Sequence, residues 1–300
     1  MKVDVIISHA LFDERRKAPM TRLAESFGDV KPLIIGSAAL EHANRWAVNL
    51  WREVQRSQAD VVLCLNDDVT VHPDILKHVA TLAEMFPEDI ISLHPNFPAF
   101  GVVAETGKRL AKAYWPSGPA MAMRPHTARD LLAWLDKIPP QFFSHDVNED
   151  GAIASFLWSR QTPSVYTIPA LVRHDITVPS TLPGYDLHPG RTSPVDWERY
   201  PPGEWARDAV MPYIPCPWMS DNQFRILGDA LRGVLPLCGL CWQAPAAILN
   251  QARGTGICGA CARGIAQSVM QTLIAGNPHA PGATAPPSAV PTIPAPPAIP

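Results

Sequence analysis

Hydrophobic positions along this chain change period several times in the first 180 residues, and each change marks an element. "KVDVIIS" and "PLIIGS" are short apolar runs that predict two strands, and "RRKAPMTRLAESFG" between them predicts a helix stopping at Gly28. In "HANRWAVNLWREVQRSQ", residues Ala43, Trp46, Ala47, Leu50, Trp51 and Val54 recur at three- and four-residue intervals. That spacing places them on one helical face. "DVVLCL" is a continuous apolar run of the kind a strand covered on both faces requires. His72-Pro73-Asp74 then opens a helix with Ile75, Leu76, Val79, Leu82 and Phe86 as its buried stripe.

"DIISLHP" and "AMAMRP" predict further strands, and Thr127 to Asp130 predicts a capping box at the start of "ARDLLAWL". "HDVNEDGAIASFLWSR" predicts a helix with acids at its N-terminus, and "SVYTIPALVRH" one last strand. The alternating order predicts an α/β fold, a mainly parallel sheet flanked by helices, whose sites lie beyond the strand C-termini. Residues 1–185 are assigned to this domain. Residues 186–229, rich in Pro and Trp without clear periodicity, either wrap it or link it to the next module.

Composition narrows the function classes. The chain has 25 basic and 28 acidic side chains, and no field of one sign runs along it, which argues against polyanion binding. No apolar stretch is long enough to span a bilayer, and the N-terminal "MKVDVIISHALFDERR" lacks a signal-peptide pattern, so a soluble cytoplasmic protein is expected. Residues 269–300 are Pro- and Ala-rich and predict a disordered tail without a core.

Four of six cysteines form two C-x-x-C pairs, Cys238 with Cys241 and Cys258 with Cys261, separated by sixteen residues; Cys64 and Cys216 stand alone. Two tight knuckles can present four thiolates tetrahedrally, so residues 230–268 predict a small module, a structural zinc ribbon holding Zn²⁺. Redox dithiols, or four unrelated thiols, are the alternatives. "ILNQARGTG" between the pairs has one basic residue and no aromatic, which suits a protein-binding or bracing role better than nucleic acid.

The run "VVLCLNDDVTVHPDIL" carries a buried strand directly into Asn66, Asp67 and Asp68, either a surface turn or a ligand site. This run resembles the strand and acidic motif of GT-A-type glycosyltransferases, enzymes that move a sugar from a nucleotide-sugar donor to an acceptor. The resemblance covers roughly residues 2 to 180. It implies a GT-A-like, Rossmann-type sheet, and a Mn²⁺ or Mg²⁺ ion bound at Asp68 with Asp67 or Asn66 reaching the donor ribose or the ion. Asn66 stands where the family commonly has an acid. "NEDGAIASFL" is similar to the family's helix-opening acids and implies Asp150, or Glu149 in its place, as the base that deprotonates the acceptor in inverting members.

"PALVRHDITVPS" resembles the late strand whose His serves the metal or diphosphate, here His174. "PSGPAMAMRP" is similar to the segment bordering the donor sugar and implies that Arg124 binds phosphate, or else caps the next helix. At the end of the first strand, the resemblance implies that His9 with Arg15 or Arg16 touches the nucleotide; a solvated helix face is the alternative reading of "DERRK". The acceptor, a glycan, protein or small molecule, is left open. A second reading is a non-catalytic adaptor, a glycosyltransferase-like binding domain joined to a ribbon that recruits a protein or nucleic acid.

Overall fold

The computed structural model of the chain describes residues 1–37, 43–97, 99–137, 149–181, 191–206, 210–211, 248–250 and 255–257. The chain divides into two compact units, Met1–Leu235 and Pro236–Pro300.

The first unit is built on an eight-stranded sheet. In chain order its strands are β1 (Val3–Ala10), β2 (Leu33–Ser37), β3 (Val61–Asn66), β5 (Ile91–Ser92), β6 (Leu110–Ala113), β7 (Ala120–Met123), β8 (Ser164–Thr167) and β10 (Val210–Met211). Across the sheet they lie in the order β10-β6-β8-β5-β7-β3-β1-β2. Strands β2, β1, β3, β5 and β8 run one way and β7, β6 and β10 run against them. The sheet is therefore mainly parallel and the fold α/β, as the alternating pattern requires. A separate antiparallel pair joins β4 (Val69–Val71) to β9 (Val172–His174).

Helices α1 (Lys17–Glu25), α2 (Ala43–Arg56), α3 (Ile75–Met85), α4 (Ala99–Glu105), α5 (Pro125–Leu135) and α6 (Glu149–Arg160) flank the strands. Alternation along β3 divides the core in two. Val61, Leu63 and Leu65 pack with Leu23 of α1 and Val79 and Leu82 of α3. Val62 and Cys64 pack with Leu50, Trp51 and Val54 of α2, Leu131 of α5 and Phe156 of α6. This is why "DVVLCL" has no polar position: a strand with helices on both faces has no solvent side. The helical periodicity of residues 43–58 is realised in α2, whose Ala47, Leu50, Trp51 and Val54 are all buried.

Four expectations are corrected. "SVYTIPALVRH" is two strands, β8 and β9, in different sheets; Pro169 between them has no N–H to continue a ladder. Helix α5 starts at Pro125 with Arg124 as its N-cap and no side-chain cap, so Thr127 is buried inside the helix and forms no capping box. Helix α1 ends at Glu25, short of Gly28, which takes a positive φ of 59° in the turn beyond. The acids at 67–68 lead into β4, and the helix begins only at Ile75.

Within the first unit, the segment 191–206 packs against the core. Val195 is fully buried in a third core cluster with Phe97, Phe100 and Tyr166, and Ala170 N–H donates to its carbonyl at 2.7 Å. Among the described residues no helix is long and apolar enough to cross a membrane. In the second unit the described residues form one antiparallel ribbon, β11 (Ile248–Asn250) with β12 (Thr255–Ile257). Cys238, Cys241, Cys258 and Cys261, and the Pro/Ala-rich tail, lie outside the described residues.

Trp51 is the largest of the fully buried side chains, 2% exposed at the α2 interface. Trp51→Ala is expected to lower the unfolding free energy by roughly 3–5 kcal/mol, measured as a fall in urea midpoint with an unchanged slope.

Candidate active site

Strands β1 and β3 are parallel neighbours, with Ser8 opposite Asn66, so the residues just past both strands emerge at the same edge of the sheet. There the backbone of β3 delivers Asp67 and Asp68, which are 1% and 4% exposed. Two adjacent carboxylates at that depth are costly unless partnered.

The partners come from far along the chain. Asp67 accepts from Arg16 Nη1 and from the Ala10 backbone N–H at 2.9 Å, and its Oδ2 lies 2.7 Å from His9 Nδ1. Arg16 Nη2 donates to Asp68 Oδ2 at 3.0 Å and to the Pro179 carbonyl at 2.9 Å. Arg16 is itself buried, so one guanidinium spans both acids and ties the turn after β1 to the chain beyond β9. Arg15, the other candidate, is exposed and folds onto Asp13.

Asp68 has further neighbours on the same oxygen. Arg191 Nη2 and His174 Nδ1 each lie 3.5 Å from Oδ2. The register of β4 with β9, Val69 opposite His174, carries His174 to this place, and Asp175 N–H donates to the Asp68 carbonyl at 2.7 Å. At 3.5 Å the His174 contact is an ion-pair distance too long for a good hydrogen bond. Among the described residues His174 Nδ1 thus has no hydrogen-bonding partner; the other Asp68 oxygen, Oδ1, has none either, and both atoms are buried. Burial by itself raises the Asp68 carboxyl, but the approach of His174 and the charges of Arg16 and Arg191 outweigh it and bring it down to about 2.

A second acid reaches the same edge. The loop between β6 and β7 runs Trp115-Pro116-Ser117-Gly118-Pro119, and Asn66 N–H donates to the Pro119 carbonyl at 3.0 Å. One residue earlier, the Gly118 N–H, together with the Trp115 side chain, holds the carboxylate of Asp150 at the start of α6. Burial is the stronger influence and pushes Asp150 up to about 7, while these two donors pull the other way. Among the described residues its Oδ1 is buried without a partner, as is Ser117 Oγ in the β6–β7 loop. Glu149 is the first residue of α6, and its side chain lies outside the described residues.

The structure therefore brings His9, Asn66, Asp67, Asp68, Asp150 and His174 to one edge. It does not bring Arg124. Because β7 runs against β3, with Met123 opposite Val62, Arg124 falls at the far end of the strand. About five residues of strand, roughly 15 Å, separate it from the acids. There it caps α5 and donates to the Ala83 carbonyl of α3 at 3.0 Å, so a phosphate-binding role for it is corrected. Both oxygens of Asp67 are engaged inside the protein, which makes it an anchor for the site's frame.

Two site residues escaped sequence reading. Arg191 sits in the aperiodic stretch, where its guanidinium also donates to the Val178 carbonyl at 2.7 Å. His94 lies just past β5, fully buried; its Nδ1 lies 3.0 Å from the Val172 carbonyl, and its ring meets His174 edge-on at 5.3 Å. Because a carbonyl only accepts, His94 carries its proton on Nδ1. The usable signal for His94 was its place at the C-terminal end of a parallel strand.

No protein-family model matches the chain, and no curated protein matches it. Among solved structures there is distant likeness. A197 from STIV aligns at TM-score 0.36 and 13% identity, over 58% of this chain and 84% of that one. S. aureus TarS 1-349 aligns at 0.34 and 12%, over 57% of this chain and 58% of that one. A glycosyltransferase involved in the glycosylation of the major capsid of PBCV-1 aligns at 0.31 and 13%, over 63% of this chain and 92% of that one. The chain thus spans less than two thirds of the TarS fragment.

Arg16→Met would strand two buried carboxylates and is expected to cost roughly 3–5 kcal/mol in unfolding free energy. Asp68, lowered from 3.8 to about 2, contributes stability that is complete above pH 4 and lost as pH falls toward 2. Acid titration of the unfolding midpoint should show that loss in the wild type and a shallower one in Asp68→Asn.

Proposed function

We propose that the first unit is a glycosyltransferase that takes a nucleotide-diphosphate-sugar as donor. The observation that carries this reading is a group of buried polar atoms at one sheet edge that have no hydrogen-bonding partner among the described residues: Asp68 Oδ1, His174 Nδ1, Ser117 Oγ and Asp150 Oδ1. Buried polar atoms left unpaired are costly and few in folded proteins. Four of them around the C-terminal ends of parallel strands are what a polar ligand would satisfy.

The two acids have opposite electrostatic settings, which separates their roles. Asp68 stays ionised at all working pH and faces cations. Asp150, held near 7, can take and return a proton near neutrality. In the proposed reaction the Asp150 carboxylate accepts the proton of the acceptor hydroxyl as that oxygen bonds to the anomeric carbon. The bond from that carbon to the diphosphate breaks, and its electron pair leaves on the diphosphate oxygen. Direct displacement of this kind inverts the anomeric centre.

A divalent cation fits the donor set. Asp68 Oδ1 offers a hard oxygen and His174 Nδ1 an imidazole nitrogen, both unpartnered, a pair suited to Mn²⁺ or Mg²⁺. Such an ion, when bound, would offset the charge on the departing diphosphate. Arg16 and Arg191 share the other Asp68 oxygen and already balance the formal charge of the two acids. Affinity for a lone cation is therefore weak, and binding is expected to be cooperative with the anionic nucleotide.

The paired cysteines are read as a zinc ribbon with a bracing or protein-binding role, supported by their spacing and by β12 ending at Ile257, next to Cys258. Metal analysis should return one zinc per chain, lost in Cys238→Ser. The acceptor, a glycan, protein or small molecule, is sought by turnover. The adaptor reading is favoured by Asn66 in an acid's place and by the full internal use of Asp67. Turnover distinguishes the two.

The test is calorimetric titration with UDP-, GDP- and dTDP-sugars, with and without Mn²⁺, and then donor turnover. One donor should bind more tightly with Mn²⁺, and Asp68→Asn should abolish that gain. Turnover should rise with pH through about 7, since Asp150 must be ionised to accept a proton, and Asp150→Asn should lower it by about 10²–10⁴. If no donor binds under any condition, the proposal fails; binding without turnover selects the adaptor.

A further inference from the structure

Away from this edge, at the far end of β4, His72, Asp74 and His78 offer three ligand atoms within 4.8 Å of one another. A metal site is the first thing such a cluster suggests, but the hydrogen bonds around it argue otherwise. The Asp74 backbone N–H points to His72 Nδ1 at 3.1 Å, and the Trp205 indole N–H points to His78 Nδ1, also at 3.1 Å. Both donors are unambiguous, since an amide and an indole nitrogen can only give their protons. Each imidazole is therefore an acceptor at Nδ1 and carries its single proton on Nε2. Coordination through Nε2 would force the proton onto Nδ1 and set N–H against N–H at both rings. A metal ion would cost the cluster both hydrogen bonds.

A proton would cost the same two bonds. We propose that His72 and His78 form a proton-sensitive latch which, while neutral, fastens Trp205 and the end of the 191–206 segment to the start of α3, and which releases them on acidification. Protonated His78 has donors on both nitrogens and cannot accept from the Trp205 indole. Protonated His72 loses the bond from Asp74 N–H, and its ring, 5.1 Å from that of His78, then repels a second positive charge.

The surroundings set the balance. His78 is faced by Asp74 and Lys77 from its own helix, by His72 from the preceding turn and by the Trp205 ring, edge-on at 5.6 Å. His72 is faced by Asp74 and by the Trp197 ring at 5.8 Å. Behind that ring Arg173 stacks at 3.9 Å and pairs with Asp196 and Glu198. Burial holds both histidines below their usual value of 6.5, against the pull of Asp74. The stability these neutral rings lend is therefore complete above pH 6.5 and is lost as pH falls below it.

Release is local. Val195 is locked in the core, Trp197 and Glu198 are held by Arg173, and Tyr200 packs on the same cluster and donates to Glu105, so the portion that peels away is the stretch after Tyr200, ending in Trp205. Trp205 is five residues from β10, the outermost strand beside β6. Nothing in this device depends on the chemistry proposed for the acidic edge.

The decisive measurement tracks the Trp205 indole N–H resonance of the full chain by ¹⁵N-correlated NMR, assigned from Trp205→Phe, between pH 8 and pH 5. In the wild type the resonance should move toward a free-indole position with a midpoint below 6.5, and its solvent exchange, corrected for the intrinsic pH effect, should quicken by about tenfold for loss of one such bond. His78→Asn keeps an acceptor but does not titrate and should hold the resonance fixed across the range. A wild-type resonance that does not move would overturn the proposal. So would equal movement in His78→Asn, or zinc bound to the cluster at pH 8 with the Trp205 signal unchanged.

Discussion

The burial of two adjacent carboxylates at the end of β3 constrains everything near them. Asp67 and Asp68 lie too deep for water to carry their charge, so the protein must bring cations and donors to them. Arg16 meets most of that need, spanning both acids and reaching the Pro179 carbonyl as well. Through it the turn after β1, the end of β3 and the chain beyond β9 become one rigid frame. An arrangement so costly to bury is a weak source of net stability. Its better-founded consequence is geometric, because it leaves Asp68 Oδ1 and His174 Nδ1 fixed in place without partners.

Opposite environments then act on one kind of side chain. Asp68, surrounded by guanidinium groups and His174, is driven toward permanent ionisation. Asp150, held among the described residues by an indole and one backbone amide, feels burial more than attraction and titrates near neutrality. The β6–β7 loop links the two environments through adjacent residues, Pro119 to Asn66 and Gly118 to Asp150. A short loop of small and cyclic residues suits this, because its own backbone groups supply the contacts to both sides.

Neutral imidazoles serve as acceptors elsewhere in the molecule, and His94 shows the opposite use of the same ring. His72 and His78 accept from N–H donors at Nδ1, whereas His94 pairs its Nδ1 with a carbonyl. Only the partner atom distinguishes a ring set to resist protonation from one set to orient a neighbour. Spacing in the chain does not reveal that difference.

What was legible in the chain came from local physics. An apolar run without polar positions must be covered on both faces, and so "DVVLCL" disclosed a central strand and the edge where Asp67 and Asp68 emerge. The three- and four-residue spacing of Leu50, Trp51 and Val54 disclosed α2, since a helix repeats its buried face at that interval whatever it packs on. Short strands such as β4 and β6 carry too few residues to show a period. Only tertiary structure decided which way β7 runs, and with it that Arg124 lies at the wrong end of the sheet. It also decided that Arg16 and Arg191, separated by most of the domain, would meet on Asp68. Charge partners that are distant in sequence leave no periodic trace, because what selects them is the cost of a buried charge, and burial exists only once the chain has folded.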